Sequence, residues 1–298
     1  MDDRRCAAEL RAGTTQPHKT TREANRLGVW LAHTLPIMLL ILPVAASAAP
    51  LDIRFDKFYD ASSTSTTRVQ NDQIKLLMRE VGLAIGPRSA GPVYSQGALG
   101  VDASMEMSTS GAHAASDYWK KAVDSPESSL SSWVIRGRKG MPQSVQLGAS
   151  LTHLQDSNLY AAGVDFQASL IDGFRYVPDF GVRGSVSGVV GNSRMDFLNG
   201  AVDVTVSKNF GIGGVLSLQP WLAWSPGFMY VKPNLEPILP NDKSLKMVLP
   251  KFDNITAFTQ RAAIGVRVVS YRVQVGVELI RSFTDDLNLV TGKIGAVF

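Results

Sequence analysis

The sequence predicts an all-β chain, an antiparallel up-and-down barrel that crosses a membrane on about ten strands (roughly 8–12), with a short N-terminal helix or plug. Three observations predict it. Apolar and polar residues alternate with a period of two over much of the chain. The alternating stretches run to about 10–13 residues, longer than the ~5–6 of a soluble strand and enough to cross a bilayer when tilted. The connections between them also sort by length, with the long ones falling on one side of the membrane.

The first 48 residues predict a cleaved secretory signal. Thr34–Ala49 is an apolar run behind Arg22 and Arg26 that contains Pro36 and Pro43 and closes on the small-x-small site Ala46-Ser47-Ala48. It falls short of the ~20 residues a transmembrane helix needs. Taking its six basic and four acidic residues from the chain's 30 and 26 leaves 24 and 22, without a lysine or arginine cluster, so nucleic acid is not an expected partner. The single cysteine, Cys6, leaves with this segment, and with it any disulfide or thiolate metal site. Charged residues make up only 19% of the chain, and the mean hydropathy of +0.03 suits dispersed apolar residues and a soluble domain equally.

Residues 49–91 predict a linker and a short amphipathic helix. Ile74, Leu77, Met78, Val81 and Ile85 follow helical spacing around Lys75, Arg79 and Glu80. Such a helix either plugs the barrel or lies at its periplasmic mouth, and an extra strand is the alternative. Residues 59–70, YDASSTSTTRVQ, predict a flexible linker.

The barrel is expected over 92–298, with strands near 95–108, 130–139, 142–154, 158–171, 179–191, 198–209, 214–225, 254–269, 271–283 and 286–298. Val101, Met105 and Met107 oppose Asp102, Ser104 and Glu106; Val164 and Phe166 oppose Asp165 and Gln167. Tyr271, Val273, Val275, Val277 and Leu279 oppose Arg272, Gln274, Gly276 and Glu278. A soluble sandwich and a membrane barrel give the same alternation with opposite faces inward. The Gly, Ser and Thr at the polar positions suit a narrow lumen, and Tyr160, Phe210, Trp224, Tyr271, Phe283 and Phe298 at predicted strand ends suit interfacial girdles. The two long connections, 109–129 and 226–253, both fall on the extracellular side if the C-terminus is periplasmic.

A signal, ten amphipathic strands and a final Phe298 in Ile294-Gly-Ala-Val-Phe resemble a bacterial outer-membrane β-barrel over about residues 92–298. Arg138-Lys-Gly-Met-Pro142, Pro178-Asp-Phe-Gly-Val-Arg183 and Val206-Ser-Lys-Asn-Phe-Gly211 are similar to stretches of uncharacterised outer-membrane barrel-domain proteins, and bring no activity with them. The resemblance implies an outer-membrane location, contact with outer-membrane lipid, and Phe298 as the assembly signal read by the barrel-assembly machinery.

Inward charges are the first functional candidates. Asp102, Glu106, Asp165, Asp203 and Glu278 share the expected lumen with Arg183, Arg261, Arg267, Arg272 and Lys293. They form either a lining that screens small solutes or a structural network of paired charges. A small pore or structural barrel is therefore the first functional expectation. The alternative is a surface-binding or adhesion barrel acting on surface ligands through loops 109–129 and 226–253, with the apolar Phe228, Met229 and Tyr230 in the second. The pair Tyr118-Trp119 in loop 109–129 either binds a partner or rests at headgroup level. A lipid hydrolase is the weakest option: His153 lies near Asp156 and Ser157, and Asp285-Asp286 suits a turn better than a protease dyad. Gly211-Ile-Gly-Gly214 has no following helix to cradle phosphate and is expected to be a turn. No enzyme activity, cofactor or metal is expected.

Overall fold

The computed structural model describes residues 50–60, 68–89, 91–234 and 253–298; residues 1–48, expected from the sequence to be a signal, lie outside them. Ten strands follow in chain order: β1 Val101–Gly111, β2 Ser129–Met141, β3 Val145–Leu154, β4 Tyr160–Ile171, β5 Asp179–Val190, β6 Met195–Ser207, β7 Leu216–Pro233, β8 Ile255–Ser270, β9 Val273–Ser282 and β10 Leu287–Val297. Each pairs antiparallel with the next, and β10 returns to β1 in a ladder from Val297↔Asp102 to Leu289↔Ser110. The ring is closed, so the sheet has no free edge. A three-residue strand, Phe210–Ile212, pairs with the start of β7 outside the ring.

Alternation sets the polarity of the wall. Along β1 every second residue is buried: Asp102, Ser104, Glu106, Ser108 and Ser110 face in, while Val101, Met105 and Met107 face out. The same holds around the ring, where Val164, Phe166, Ile264, Val277 and Ile294 stand on the outer face. A continuous apolar belt of this extent is not compatible with water and is what lipid requires. Among the described residues no helix is long and apolar enough to cross a membrane; the strands do the crossing.

The connections define two ends. At the turn end lie 142–144, 172–178, 208–215 and the two-residue reversal at 271–272; at the loop end lie 112–128, 155–159, 191–194, 234–254 and 283–286. Both long connections share the loop end, as expected, but each is shorter than the sequence predicts. Residues 226–233, predicted as part of the loop 226–253, extend β7, so Phe228 stands on the outer face and Met229 in the lumen. The β6–β7 ladder skips Ser225 and Pro226, where proline has no N–H to give, while Pro226 still faces Gln260 of β8. Trp224 consequently lies within the outer belt and not at a strand end. In the other loop, Asp117–Ala122 form a short helix, α2.

The described residues between Pro50 and Gln96 form an arm that enters the ring. Its helix, α1 (Asn71–Ile85), contacts β1, β2, β3, β7 and β8, which only a position in the lumen allows. It occupies the loop-end half and not the periplasmic mouth. The predicted linker 59–70 is pinned at both ends by the antiparallel pairs Tyr59↔Val69 and Asp60↔Arg68; residues 61–67 lie outside the described residues. The first strand begins at Val101, and residues predicted near 95 belong to the arm's extended descent.

The lumen changes character along its length. Toward the loop end the inward wall residues are apolar, among them Leu130, Leu154, Met195, Phe197, Val231 and Ile255. They enclose Leu51, Ile53, Phe55 and Phe58 from the arm, and Ile74, Leu77, Met78, Val81 and Ile85 from α1. Trp119 of α2 completes this core at 1% exposure, not at headgroup level. Toward the middle and the turn end the same strands present charges. In β6 the inward series runs Met195, Phe197, Asn199, then Asp203, Thr205 and Ser207.

Gly82 lets α1 sit against the wall. A Cβ on Gly82 would stand 3.1 Å from the Phe197 ring and 3.3 Å from Met229, and Asn199 donates to the Gly82 carbonyl at 3.2 Å. Replacing Gly82→Leu is expected to push α1 off β6 and β7 and cost about 1–3 kcal/mol, the usual penalty for overpacking. The check is the midpoint of the heat-induced shift in gel mobility; an unchanged midpoint would refute this packing.

Candidate functional site: the arm in the lumen and its cap

From the loop end downward, successive arm residues meet successive levels of the wall. Leu51 donates its backbone N–H to the Asp156 carbonyl at 2.9 Å, and Asp52 accepts from Asn158. Arg54 donates its backbone N–H to Ala122 at 2.8 Å and pairs through its side chain with Asp124 at 3.3 Å. Asn71 at the start of α1 reaches Asp253, and Arg79 pairs with Asp285 at 2.7 Å.

Glu80 anchors the centre of the cap. Its carboxylate is buried and accepts four hydrogen bonds from the β1–β2 connection. Oε1 takes His113 Nδ1 and the Tyr118 hydroxyl, both at 2.6 Å; Oε2 takes Trp119 Nε1 at 2.6 Å and the His113 backbone N–H at 3.1 Å. A buried carboxylate needs this density of donors. Burial and then the bond to Glu80 push the Tyr118 hydroxyl up from 10 to about 12. Because the shift is upward, its contribution is full below pH 10 and is lost as the pH climbs toward 12.

Below the helix the wall grips the arm's backbone. Ser132 donates to the Ala84 carbonyl at 2.8 Å, Arg261 to Pro87 at 2.9 Å, and Arg183 to the carbonyl of Arg88. The Arg88 guanidinium is itself buried against Ala84 and Ser132. Near the turn end Ser207 both accepts from the Val93 N–H at 3.0 Å and donates to the Val93 carbonyl at 3.1 Å. Tyr94 donates to Asp102 at 3.0 Å beneath the Arg267 guanidinium, which lies 3.8 Å from its ring centre.

The wall charges pair with one another around this thread. Arg136 holds Glu106 through two contacts of 3.1 and 3.3 Å. Arg138 meets Asp165 at 2.9 Å, Arg183 Nε meets Asp203 at 2.6 Å, and Gln274 donates to Asp102 at 2.7 Å. Paired, hydrogen-bonded charges are the form in which ions persist inside a protein. Of the residues expected in the lumen, Asp102, Glu106, Asp165, Arg183, Asp203, Arg261, Arg267 and Glu278 are buried there, and Lys293 approaches Glu106 at 4.0 Å. Arg272 is not among them. It stands exposed in the tight 271–272 reversal, where the chain has left the ladder, with its guanidinium 5.7 Å from the Phe298 ring centre. Phe298 lies exposed at the turn end, its backbone exchanging two bonds with Val101 at 2.8 and 2.9 Å.

Sequence reasoning missed Arg88, Arg136, Arg138 and Glu80. Arg136 and Arg138 share the parity of Ser132 and Val134, so the period of two was enough to place them inward. Glu80 lies beside Leu77, Ala84 and Val81 on α1, a carboxylate among buried apolar neighbours.

Two small spaces lie beside the arm among the described residues. One cavity of about 20 Å³ lies among Ser89, Glu106, Trp221, Glu278 and Lys293, and another of about 10 Å³ lies beside Pro87, Arg136 and Arg183. These are of the order of a single water. The larger depressions, about 730 and 680 Å³, are lined by outward apolar residues such as Phe166, Phe228 and Ile264.

The hydrolase arrangement does not assemble. His153 stacks on Tyr160 on the outer face, with ring centres 4.5 Å apart, while Ser157 is buried and donates to the Leu154 carbonyl at 2.9 Å. No hydrogen bond among the described residues joins His153 to Asp156 or Ser157. Asp285 and Asp286 serve the 283–286 turn and pair with Arg79 and Arg281. Of the expected turn Gly211–Gly214, Gly213 and Gly214 do turn, with positive φ angles of 61° and 71°, while Gly211 and Ile212 pair with the start of β7 in the short strand.

No family model and no curated protein matches this chain. Among solved structures, the attachment invasion locus protein Ail of Yersinia pestis is 13% identical, with 67% of this chain and 98% of that chain covered and a TM-score of 0.28. Omp33, an outer membrane protein of Acinetobacter baumannii, is 9% identical over 67% of this chain and 100% of its own, with a TM-score of 0.27. The Escherichia coli outer membrane protease OmpT is 10% identical over 66% and 94%, with a TM-score of 0.28. Scores of this size carry no argument about activity. By its own closed register and its apolar exterior around a polar lumen, the chain has the architecture of a bacterial outer-membrane β-barrel.

Proposed function

We propose that this is an outer-membrane barrel closed to solutes at rest, whose working surface is the capped loop end. The observation that carries the reading is the arm: it fills the lumen from an apolar core at one end to a charged belt at the other. On this reading Asp102, Glu106, Asp165, Arg183, Asp203, Arg261, Arg267, Glu278 and Lys293 hold the arm and one another and do not select solutes. Lipid covers the outer belt, and the β10 strand ending in Phe298 is the element the barrel-assembly machinery engages. Surface ligands meet the rim formed by the arm, α2 and the loop-end connections.

Conductance of the purified protein in planar bilayers tests this directly. The intact protein is expected to show no stable channel; steady ohmic current from wild type would favour the pore reading instead.

A further inference from the structure

From the start of α1 to Gly100 the arm passes through the barrel once, from the loop end to the turn end. Gly100 sits at the turn end, where Gly140 donates to its carbonyl and Val101 pairs with Phe298. Val93 and Tyr94 meet Ser207 and Gln146, near the turn ends of β6 and β3. Pro87 and Arg88 meet Arg261 and Arg183 in mid-barrel; Arg79 meets Asp285, and Leu51 meets Asp156, at the loop end. The helix alone covers about 22 Å at 1.5 Å per residue, against a hydrocarbon core of ~30 Å. The paired strands of the hairpin at Tyr59–Val69 keep the two halves of the arm at the same end.

We infer that the barrel carries its own N-terminal arm through its lumen and displays the chain around Pro50 at the cell surface. The inference rests on the outer-membrane reading and adds to it the side of the membrane on which residues 50–57 are presented. Short turns and the C-terminal strand end mark the periplasmic side of such barrels, so the loop end, with Leu51, Asp52 and Arg54, faces outward. The anchoring there is extensive. Phe55 and Phe58 are fully buried in the cap, and Arg194 donates to the Ile53 carbonyl. Display is therefore built into the folded state, while Lys57 remains exposed beside Asp124.

Single-cysteine labelling tests it, since the chain's only other cysteine is Cys6. Lys57→Cys and Tyr271→Cys mark exposed positions at the loop end and the turn end. With a membrane-impermeant maleimide, Lys57→Cys is expected to label fully on intact cells, with no gain on permeabilising the outer membrane. Tyr271→Cys is expected to label only after permeabilisation. Labelling of Lys57→Cys only after permeabilisation, or the reversed pattern, would overturn the inference. Should Lys57→Cys disturb the cap, an epitope inserted between Ala49 and Pro50 gives the same readout by antibody binding to intact cells. A silent barrel in the bilayer assay with an inaccessible arm would sink display alone, whereas a conducting barrel with an accessible arm would sink closure alone.

Discussion

Deleting residues 50–95 from the exported chain is expected to turn a silent barrel into a conducting one. The arm occupies the lumen at every level from Asp156 to Ser207, and the spaces beside it hold about 20 and 10 Å³. Without it, the wall alone bounds the passage. Arg136, Arg138, Arg183, Arg261, Arg267 and Lys293 then face Asp102, Glu106, Asp165, Asp203 and Glu278, nearly in balance. The expected channel is thus weakly selective, with reversal potentials close to zero in a salt gradient. Heat-modifiable gel mobility confirms that the deletion variant has closed its ring. A closed variant that stays silent would show that the wall collapses on itself and that the arm is not what blocks flow.

Replacing Glu80→Ala is expected to unfasten the cap and leave the ring intact. The substitution orphans Trp119 Nε1 and the His113 N–H groups, and releases the Tyr118 hydroxyl to water. Of these only Trp119 Nε1 is a buried donor, and one such donor left unpaired costs ~1–3 kcal/mol, so the cap should lose about that much. Because Lys120 lies exposed on α2 with Lys121 beside it, trypsin cleavage there gives the readout: it should accelerate sharply while the barrel core resists. Glu80→Gln keeps one acceptor and should fall between the two. Cleavage at the wild-type rate in Glu80→Ala would mean that the apolar core alone holds α2.

The wall was legible because its signal is local. Each strand reports its own inside and outside through a period of two, and neither pairing nor distance enters. The predicted end of β7 fell short at Pro226, which has no donor for β6 yet still fits opposite Gln260. The cap was not legible for the opposite reason. Near the loop end both faces of a strand are apolar, as in Met195-Asp-Phe-Leu198 or Phe228-Met-Tyr-Val231, so alternation fades where the lumen turns hydrophobic. What fills it is a segment more than a hundred residues away from some of its neighbours, and nothing in Ile74–Ile85 names those partners. The Glu80 cluster likewise needs a carboxylate and donors brought together across 33–39 residues.

The bonds between Val101 and Phe298 have a topological meaning. They close a ring around a segment that runs from the loop end down to Gly100 and there becomes the first wall strand, so the order of folding events is constrained. Closing β1 on β10 joins residues as distant as Ser108 and Thr291, a slow step by contact order. An arm laid down first offers Phe55, Leu77 and Ile85 as a core for nascent strands to wrap, shortening that search. If closure came first, the two-stranded Tyr59–Val69 hairpin and α1 would both have to enter a ring that is already closed. The arm is accordingly a mandrel as much as a stopper: once β1 is bonded to β10, the wall leaves it no sideways exit.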